Sequence, residues 1–483
     1  MIKRLLALGM CFILLVSSML VVGCSSDQSI DADTTETVAV TYAEGDTYVA
    51  PDVDYGGKDF DVFTWAEEAE REWVLELTPE LSKVDSETYY HLSTVEQELN
   101  LNFVTHTEKG NYDYRGDFVS KLAVLSGDDG IDLVCQYSLT ASVGAQQGLY
   151  ANLLELDYIK WDAEYWSKNL KETNTVNDKM FWCTGDMTAS VLRRMFLFVF
   201  NYSMAEDYQM GNLYDIVKDG KWTLETVKTL TANVYSDDNN NKKRDKGDTF
   251  GFVGTHNTTY DAFQYGCDLY CIVTNNMGEL EVNPELYGDR GVAVTDKIKD
   301  FFHNNGDGCY VEDGGNQYGS WTKPIEEEKA VFSLYTANDI ITSLVTTEVN
   351  YGILPIPKYD QEQETYHTCL AMPHSLFSVP LIAPDPDVSA AVLESMAHNG
   401  YVSLSPKVFE ALQYRYAKRV EDVEMLTILR DGIIFEPGRS LDTINIFALV
   451  RVVIRDNISI TQKYAESKKM YETGIEEVNF MFS

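Results

Sequence analysis

The chain has 483 residues, with 38 Lys and Arg against 76 Asp and Glu, a formal net charge of −38, and 45% hydrophobic residues. The composition is that of a globular protein, and the length exceeds what one hydrophobic core comfortably fills. So strong a negative charge repels a phosphate backbone and argues against nucleic acid as a partner.

At the amino end, Lys3 and Arg4 precede an apolar run from Leu5 to Gly23, closed by Val21-Val22-Gly23-Cys24. This is a lipoprotein signal pattern, so residues 1–23 are expected to be removed and Cys24 to be diacylated. A plain cleaved signal and a retained apolar helix are the competing readings; the Gly-Cys junction followed by Ser25-Ser26 favours lipidation. One lipid-bearing residue tethers a soluble body to a membrane surface. Residues 24–57 carry eight acidic residues from Ser25 to Gly57 and no Lys or Arg in that span. They lack apolar periodicity and read as a disordered acidic tether.

Phe60–Trp65 reads as a first strand running into a polar loop, Ala66 to Arg71. Thr94–Leu99 reads as a helix end, Leu101–His106 as a second strand, Asp117–Leu125 as a helix and Ile131–Cys135 as a third strand. Strands alternating with helices argue for a parallel sheet. In such sheets ligands meet the loops at the carboxyl ends of strands, which draws attention to Trp65 and to Gln136-Tyr137-Ser138. Met180–Asp186 is a further apolar stretch. Phe196–Tyr202 is an apolar run suited to a strand buried on both faces. Thr223 is a plausible N-cap for a helix, and Trp222 beside it reads as packing. Ala330–Tyr335 and Val349–Pro357 read as strands, the second ended by Pro355 and Pro357. From Val388 the pattern is mainly helical.

Six cysteines remain besides Cys24: Cys135, Cys183, Cys267, Cys271, Cys309 and Cys369. An even number permits disulfides, but each lies in apolar surroundings, which favours buried thiols. Cys267 and Cys271 have no second pair at metal spacing, so zinc is not expected. No GxSxG, HExxH, Walker or dinucleotide glycine pattern occurs, which argues against an enzyme. Glu67 and Glu68 could form half of a glycosidase pair, though acidic pairs in so acidic a chain usually face solvent.

Asp237, Asn239, Asn241, Asp245 and Asp248 occupy positions one, three, five, nine and twelve of a calcium loop, where oxygen ligands on alternate residues wrap one cation. Lys242 stands where such loops have glycine, and Asp248 where they have the longer Glu. A polar surface turn is the competing reading.

The order of these pieces resembles the carbohydrate-type family of extracellular solute-binding proteins of ABC importers, the group that includes maltose-binding protein. The resemblance rests on the lipobox, Phe200-Asn201-Tyr202, Trp222-Thr223 and Tyr351-Gly352-Ile353-Leu354-Pro355-Ile356-Pro357. The family commonly has Tyr-Gly-x-x-Pro-x-Pro at the last of these, and its usual Tyr-Asn order is reversed at Asn201-Tyr202. The resemblance implies an α/β, two-lobed periplasmic-binding-protein-like fold, each lobe a mostly parallel sheet flanked by helices. Residues 58–190 plus 360–400 would form the first lobe and 191–359 plus 401–483 the second. Hinge crossings are expected near Asp186–Met195 and Gly352–Asp360, with a solute held in the cleft by hinge closure.

For a sugar guest, rings offer stacking faces and polar groups meet the hydroxyls. Trp65, Tyr137, Trp182, Trp321 and Tyr335 are the aromatic candidates; Glu67, Glu68, Ser138, Asp186 and His374 are the polar ones. The implied protein is a monomer lipid-anchored on the extracytoplasmic face of a cell membrane, as on a Gram-positive surface. It would pass a carbohydrate to ABC permease subunits, with no cofactor beyond a structural calcium ion. The alternatives are a cell-surface glycoside hydrolase and a calcium-stabilised adhesive lipoprotein.

Overall fold

The computed structural model describes residues 48–125, 130–312, 323–413, 419–441 and 444–483. Cys24 and its signal, and Trp321, lie outside the described residues. Part of the stretch read as a tether is packed: the Tyr48 ring stacks on His398 at 3.7 Å between centroids, and Tyr55 N–H donates to the Leu99 carbonyl at 2.8 Å. The unlike neighbours of Tyr48 explain the miss, since a lone aromatic in an acidic run has no periodicity.

Two sheets carry the fold. The first is ordered β12-β3-β1-β2, with β1 at Lys58–Trp65, β2 at Leu101–Glu108, β3 at Leu133–Tyr137 and β12 at Ser375–Ser378. Strands β2, β1 and β3 are parallel, and β12 runs antiparallel to β3. The second sheet comprises β4 at Phe196–Asn201, β5 at Tyr235–Ser236, β6 at Thr249–Thr255, β9 at Cys309–Glu312, β10 at Ala330–Thr336 and β11 at Tyr351–Leu354. Its order is β11-β4-β10-β6-β5, with β9 also paired to β6. Strand β10 pairs parallel with β6 and β6 with β9, while β4 lies antiparallel between β10 and β11. A small hairpin, β7 at Ile272–Thr274 and β8 at Leu280–Val282, stands apart from both.

All six residues of β4 are buried, as expected of an apolar run covered on both faces. Asn201 then turns the chain: its side chain accepts from Met204 N–H and caps the helix Tyr202–Asp207, a local reason for the Asn-Tyr order. Thr223 caps the helix Leu224–Thr231 through Thr226 N–H, and Trp222, fully buried, donates its indole N–H to the Pro355 carbonyl at 2.8 Å. Ala66 to Arg71, read as a loop, lies in the helix Ala66–Glu72, which continues directly from β1; two of the three residues on its buried face, Glu68 and Glu72, are acidic, which hid the 3.6 period.

The crossings differ from expectation in one respect. The first runs through Met195, whose neighbours Arg194 and Phe196 exchange backbone bonds with Ala371 and Cys369. The return is therefore near Leu370, the bridge partner of Met195, and not at 352–360. Strand β11 still belongs to the second sheet, and Lys358 is bridged to Thr223 there, so the prolines end a strand without leaving the lobe. The tail is also divided. Helix Ser405–Leu412 packs on Lys83–Leu99 of the first lobe, whereas Val420–Asp431 packs on β11 and Ala448–Arg455 on two helices of the second lobe. All six cysteines are buried free thiols. Among the described residues, no helix is long and apolar enough to cross a membrane.

Candidate functional site

A cavity of about 950 Å³ opens between the carboxyl ends of the two sets of strands. The first lobe lines it with Trp65 at the end of β1, Tyr137 at the end of β3 and the loop Asn111–Asp113; the crossings add Arg194, Phe196 and Ala371–Pro373. The second lobe contributes Val253–Thr255 at the end of β6, Ser333–Thr336 of β10, and Arg439, Phe447 and Arg451 from the tail. The strand-end rule thus locates both walls.

Trp65 is 1% exposed, its ring 5.5 Å from that of Tyr137. Its indole N–H donates to Ser375 Oγ at 2.8 Å, and that hydroxyl donates to the Glu72 carboxylate at 2.7 Å. Cys135 Sγ also donates to Glu72 at 3.3 Å. Burial raises the Glu72 carboxyl above its usual range, against the hydrogen bonds from Ser375 and Ser190. The indole is thus fixed from behind by a buried chain of hydrogen bonds, and one face of the cleft is held rigid. Tyr335, 4% exposed, lines the cavity while its hydroxyl donates to Glu326 at 2.6 Å.

The opposite wall is charged. Asp261, 1% exposed, stands between Arg439 and Arg451: Arg439 Nη1 donates at 2.9 Å, and Arg451 donates through Nε at 2.6 Å and through Nη2. Burial alone would raise the Asp261 carboxyl, but Arg451 and Arg439 together outweigh it and hold it below the usual carboxylate range. Arg439 Nη2 also donates to the Leu370 carbonyl at 2.8 Å, joining this cluster to the return crossing.

The remaining expected contacts lie elsewhere. Glu68 is buried and pairs with Arg194 and, at 3.5 Å, with Arg71, so it positions a cleft arginine and does not face the cavity. Glu67 accepts from Gly110 N–H at 3.1 Å and braces the neighbouring loop. Neither lines the cavity, which leaves the glycosidase pair without a member in it. Ser138 donates to the Met372 carbonyl at 2.5 Å behind the wall. Trp182 is bonded to Asn174 at 3.0 Å and packed on Phe482, away from the cleft. Asp186 roots the first crossing: it accepts from Ser405 Oγ at 2.7 Å, and a side chain on Gly400 would sit 1.8 Å from its carbonyl. His374 is buried one residue beyond the lining, Nδ1–H donating to the Ala371 carbonyl at 2.9 Å. Burial depresses its pKa to about 4, so the imidazole is neutral.

Arg194, Asp261, Arg439 and Arg451 carried no signal in the sequence, because their partners are remote along the chain. The strand-end rule applied to β6 would have reached Thr255 and Asn257, which line the second wall.

The Asp237–Asp248 loop lies away from the cavity. Asp237 accepts from Asn241 and Lys242 N–H at 3.1 and 3.0 Å, and the side-chain amides of Asn239 and Asn241 donate to Asp245 at 2.9 and 2.6 Å. Lys242 adopts φ 60°, the left-handed turn for which glycine is usual. Asp248 Oδ1 is buried without a hydrogen-bond partner among the described residues. Among those residues no group of three His, Cys, Asp or Glu is placed to hold a metal.

No protein-family model matches the chain, and no curated protein matches it. Solved structures do. The chain is similar to the GacH receptor of Streptomyces glaucescens GLA.O, studied unliganded and with acarbose and an acarbose homolog, at 12% identity and TM-score 0.53 over 87% of this chain and 99% of that one. It is similar also to the maltose/maltodextrin-binding domain MalE from Bdellovibrio bacteriovorus, bound to maltotriose, at 10% identity and TM-score 0.51 over 86% and 100%. These likenesses establish a two-lobed α/β fold of the periplasmic-binding-protein type.

Proposed function

From that fold we propose that the protein is the solute-binding component of an ABC importer, taking a sugar or oligosaccharide into the cleft by hinge closure and delivering it unaltered to permease subunits. The observation that carries this reading is the cavity of about 950 Å³ shared by two lobes, with Trp65 and Tyr137 on one wall and Tyr335, Phe447 and the Asp261 cluster on the other. Apolar walls with a few convergent polar groups are what a small-molecule site needs, and a guest touching both lobes favours the closed arrangement by its differential contacts. The two structural neighbours, solved with acarbose and with maltotriose, support a saccharide. The lipobox ending at Cys24 supports a lipid anchor on the extracytoplasmic face of the membrane, within reach of a permease, and the protein would act there as a monomer.

The calcium loop belongs to this proposal as a structural element. Asp237, Asn239, Asn241, Asp245 and Asp248 would hold the ion, and the buried Oδ1 of Asp248, without a hydrogen-bond partner among the described residues, fits that role. The ion would supply charge neutralisation to a loop that otherwise closes on its own amides.

Thermal melts across a glycan panel, followed by recovery of the glycans, test the function. A receptor gains stability as RT ln(1 + [L]/Kd) with its own ligand and returns it intact. Released product would make the protein a hydrolase, and no stabilisation by any small solute would favour the adhesive reading.

A further inference from the structure

Asn152, Asn201, Asn212 and Asn283 show what asparagine ordinarily does at a helix start. Each has φ between −55° and −84°, and each accepts a first-turn N–H through its side-chain oxygen. Asn257 holds the same place before the helix Thr258–Gly266, yet its backbone stands at φ 66° and ψ −72° and its side chain caps nothing. The Thr258 N–H reaches back across it to the His256 carbonyl at 2.8 Å, which closes a three-residue γ-turn of the rare, positive-φ kind. The chain thus accepts backbone strain and gives up a cap at one position. Strain of this kind persists only where the surroundings impose it, and it gathers at ligand clamps. Here three threonines impose it. Thr255 N–H donates to Thr259 Oγ1 at 2.9 Å, the hydroxyls of Thr255 and Thr258 lie 2.9 Å apart, and Thr259 is fully buried.

What the strained turn delivers is a polar side chain at the cleft. Strand β6 ends at Thr255, and Thr255, Asn257, Thr258 and Asp261 line the cavity together. The Asn257 carbonyl accepts from Asp261 N–H at 3.0 Å, so its backbone is tied to the helix turn that carries the ionic cluster. The Asn257 side-chain amide makes no hydrogen bond with another described residue. It therefore keeps two N–H donors and one carbonyl acceptor for the cleft, and a polar group shut away by lobe closure needs a partner in the guest. We infer that Asn257 is a specificity-determining residue, donating to one hydroxyl of a saccharide and accepting from its neighbour, and that the strained turn holds the amide in place for this. The inference rests on the solute-receptor reading above and deepens it to a residue and the hydroxyl pair it reads.

The test has two arms on the full-length protein in detergent. Without any guest, Asn257→Gly should melt no lower than the wild type, because glycine adopts a positive φ freely and no side-chain bond is lost. Calorimetric titration then uses maltotriose, cellotriose and mannotriose, which differ in linkage or in the configuration of a hydroxyl. Asn257→Gly should bind the trimer preferred by the wild type about 10-fold more weakly, the size of one lost hydrogen-bonding group, and its preference among the three should shrink. A lower melting temperature in Asn257→Gly would make the residue structural and overturn the inference. So would an unchanged affinity, or an equal loss for all three trimers, which is the mark of a turn that has only become looser. Equal binding of the three by the wild type also overturns it and leaves the receptor standing. Binding of none by the wild type overturns the receptor reading, and the inference with it.

Discussion

The two walls of the cleft occupy equivalent places, each at the carboxyl ends of strands, but they are chemically unlike. The first lobe presents rings: Trp65 and Tyr137 end adjacent parallel strands, and the Trp65 indole is held by hydrogen bonds through Ser375 to the buried Glu72. The second lobe adds, beside the rings of Tyr335 and Phe447, an ionic cluster in which Asp261 meets arginines 178 and 190 residues away. A ring wall suits the faces of a sugar, whereas an ionic wall fixes its orientation. On the proposed function, each lobe has a separate role in recognition, and each role fails differently when disturbed.

The largest effect is expected on the ionic side. Asp261→Asn removes the buried carboxylate that Arg439 and Arg451 share and should cost about 3 kcal/mol of stability, read from chemical denaturation. A loss below about 1 kcal/mol, the level of an exposed pair, would show that the cluster is solvated and the contrast between the walls false.

Next comes the frame that both walls share. His91 and His374 are buried, with pKa values depressed to about 4. The unfolded chain takes up protons near pH 6.5 and the folded one does not until about 4, so stability is lost as pH falls through that window. Each histidine steepens the loss by about 1.4 kcal/mol per pH unit. His91→Gln should flatten the slope measured by denaturation at several pH values; an unchanged slope would mean that His91 is accessible to protons.

On the ring side, Trp65→Phe keeps an aromatic face and removes the donor to Ser375. It should cost about 1 kcal/mol of stability and loosen saccharide binding while leaving any preference among charged guests intact. Loss of that preference would merge the two roles. The smallest effect belongs to the loop outside the cleft. Millimolar calcium should raise the melting temperature by about 1 °C, as a stabilisation of about 1 kcal/mol does in a chain of this size, and Asp245→Asn should remove the rise. Equal melts with calcium and chelator would leave the loop a polar turn.

The same contrast explains what the sequence could disclose. Trp65 and Tyr137 were legible because each closes a short apolar strand run, and the strand-end rule needs only local pattern. β4 was legible for the same reason, as was Thr223 as a cap. The ionic cluster was invisible, since nothing local distinguishes Asp261, Arg439 or Arg451 from the many surface charges of the chain. Trp182 and Asp186 were misplaced by the same blindness: both end up in the frame because Asn174 and Ser405, remote partners, satisfy their polar atoms. The return crossing was misread because the prolines at 355 and 357 end a strand, and only the pairing of Met195 with Leu370 shows where the chain leaves the lobe.

The central claim is that a guest binds between the lobes and draws them together. Val124 on the first lobe and Val292 on the second are 67% and 37% exposed, so cysteines there accept spin labels for a distance measurement by pulsed electron resonance. The account expects the distribution to shift saturably when the solute identified by melting is added, and to stay put in the Trp65→Ala variant. Saturating binding with an unmoved distance, or a shift that persists in that variant, would contradict it.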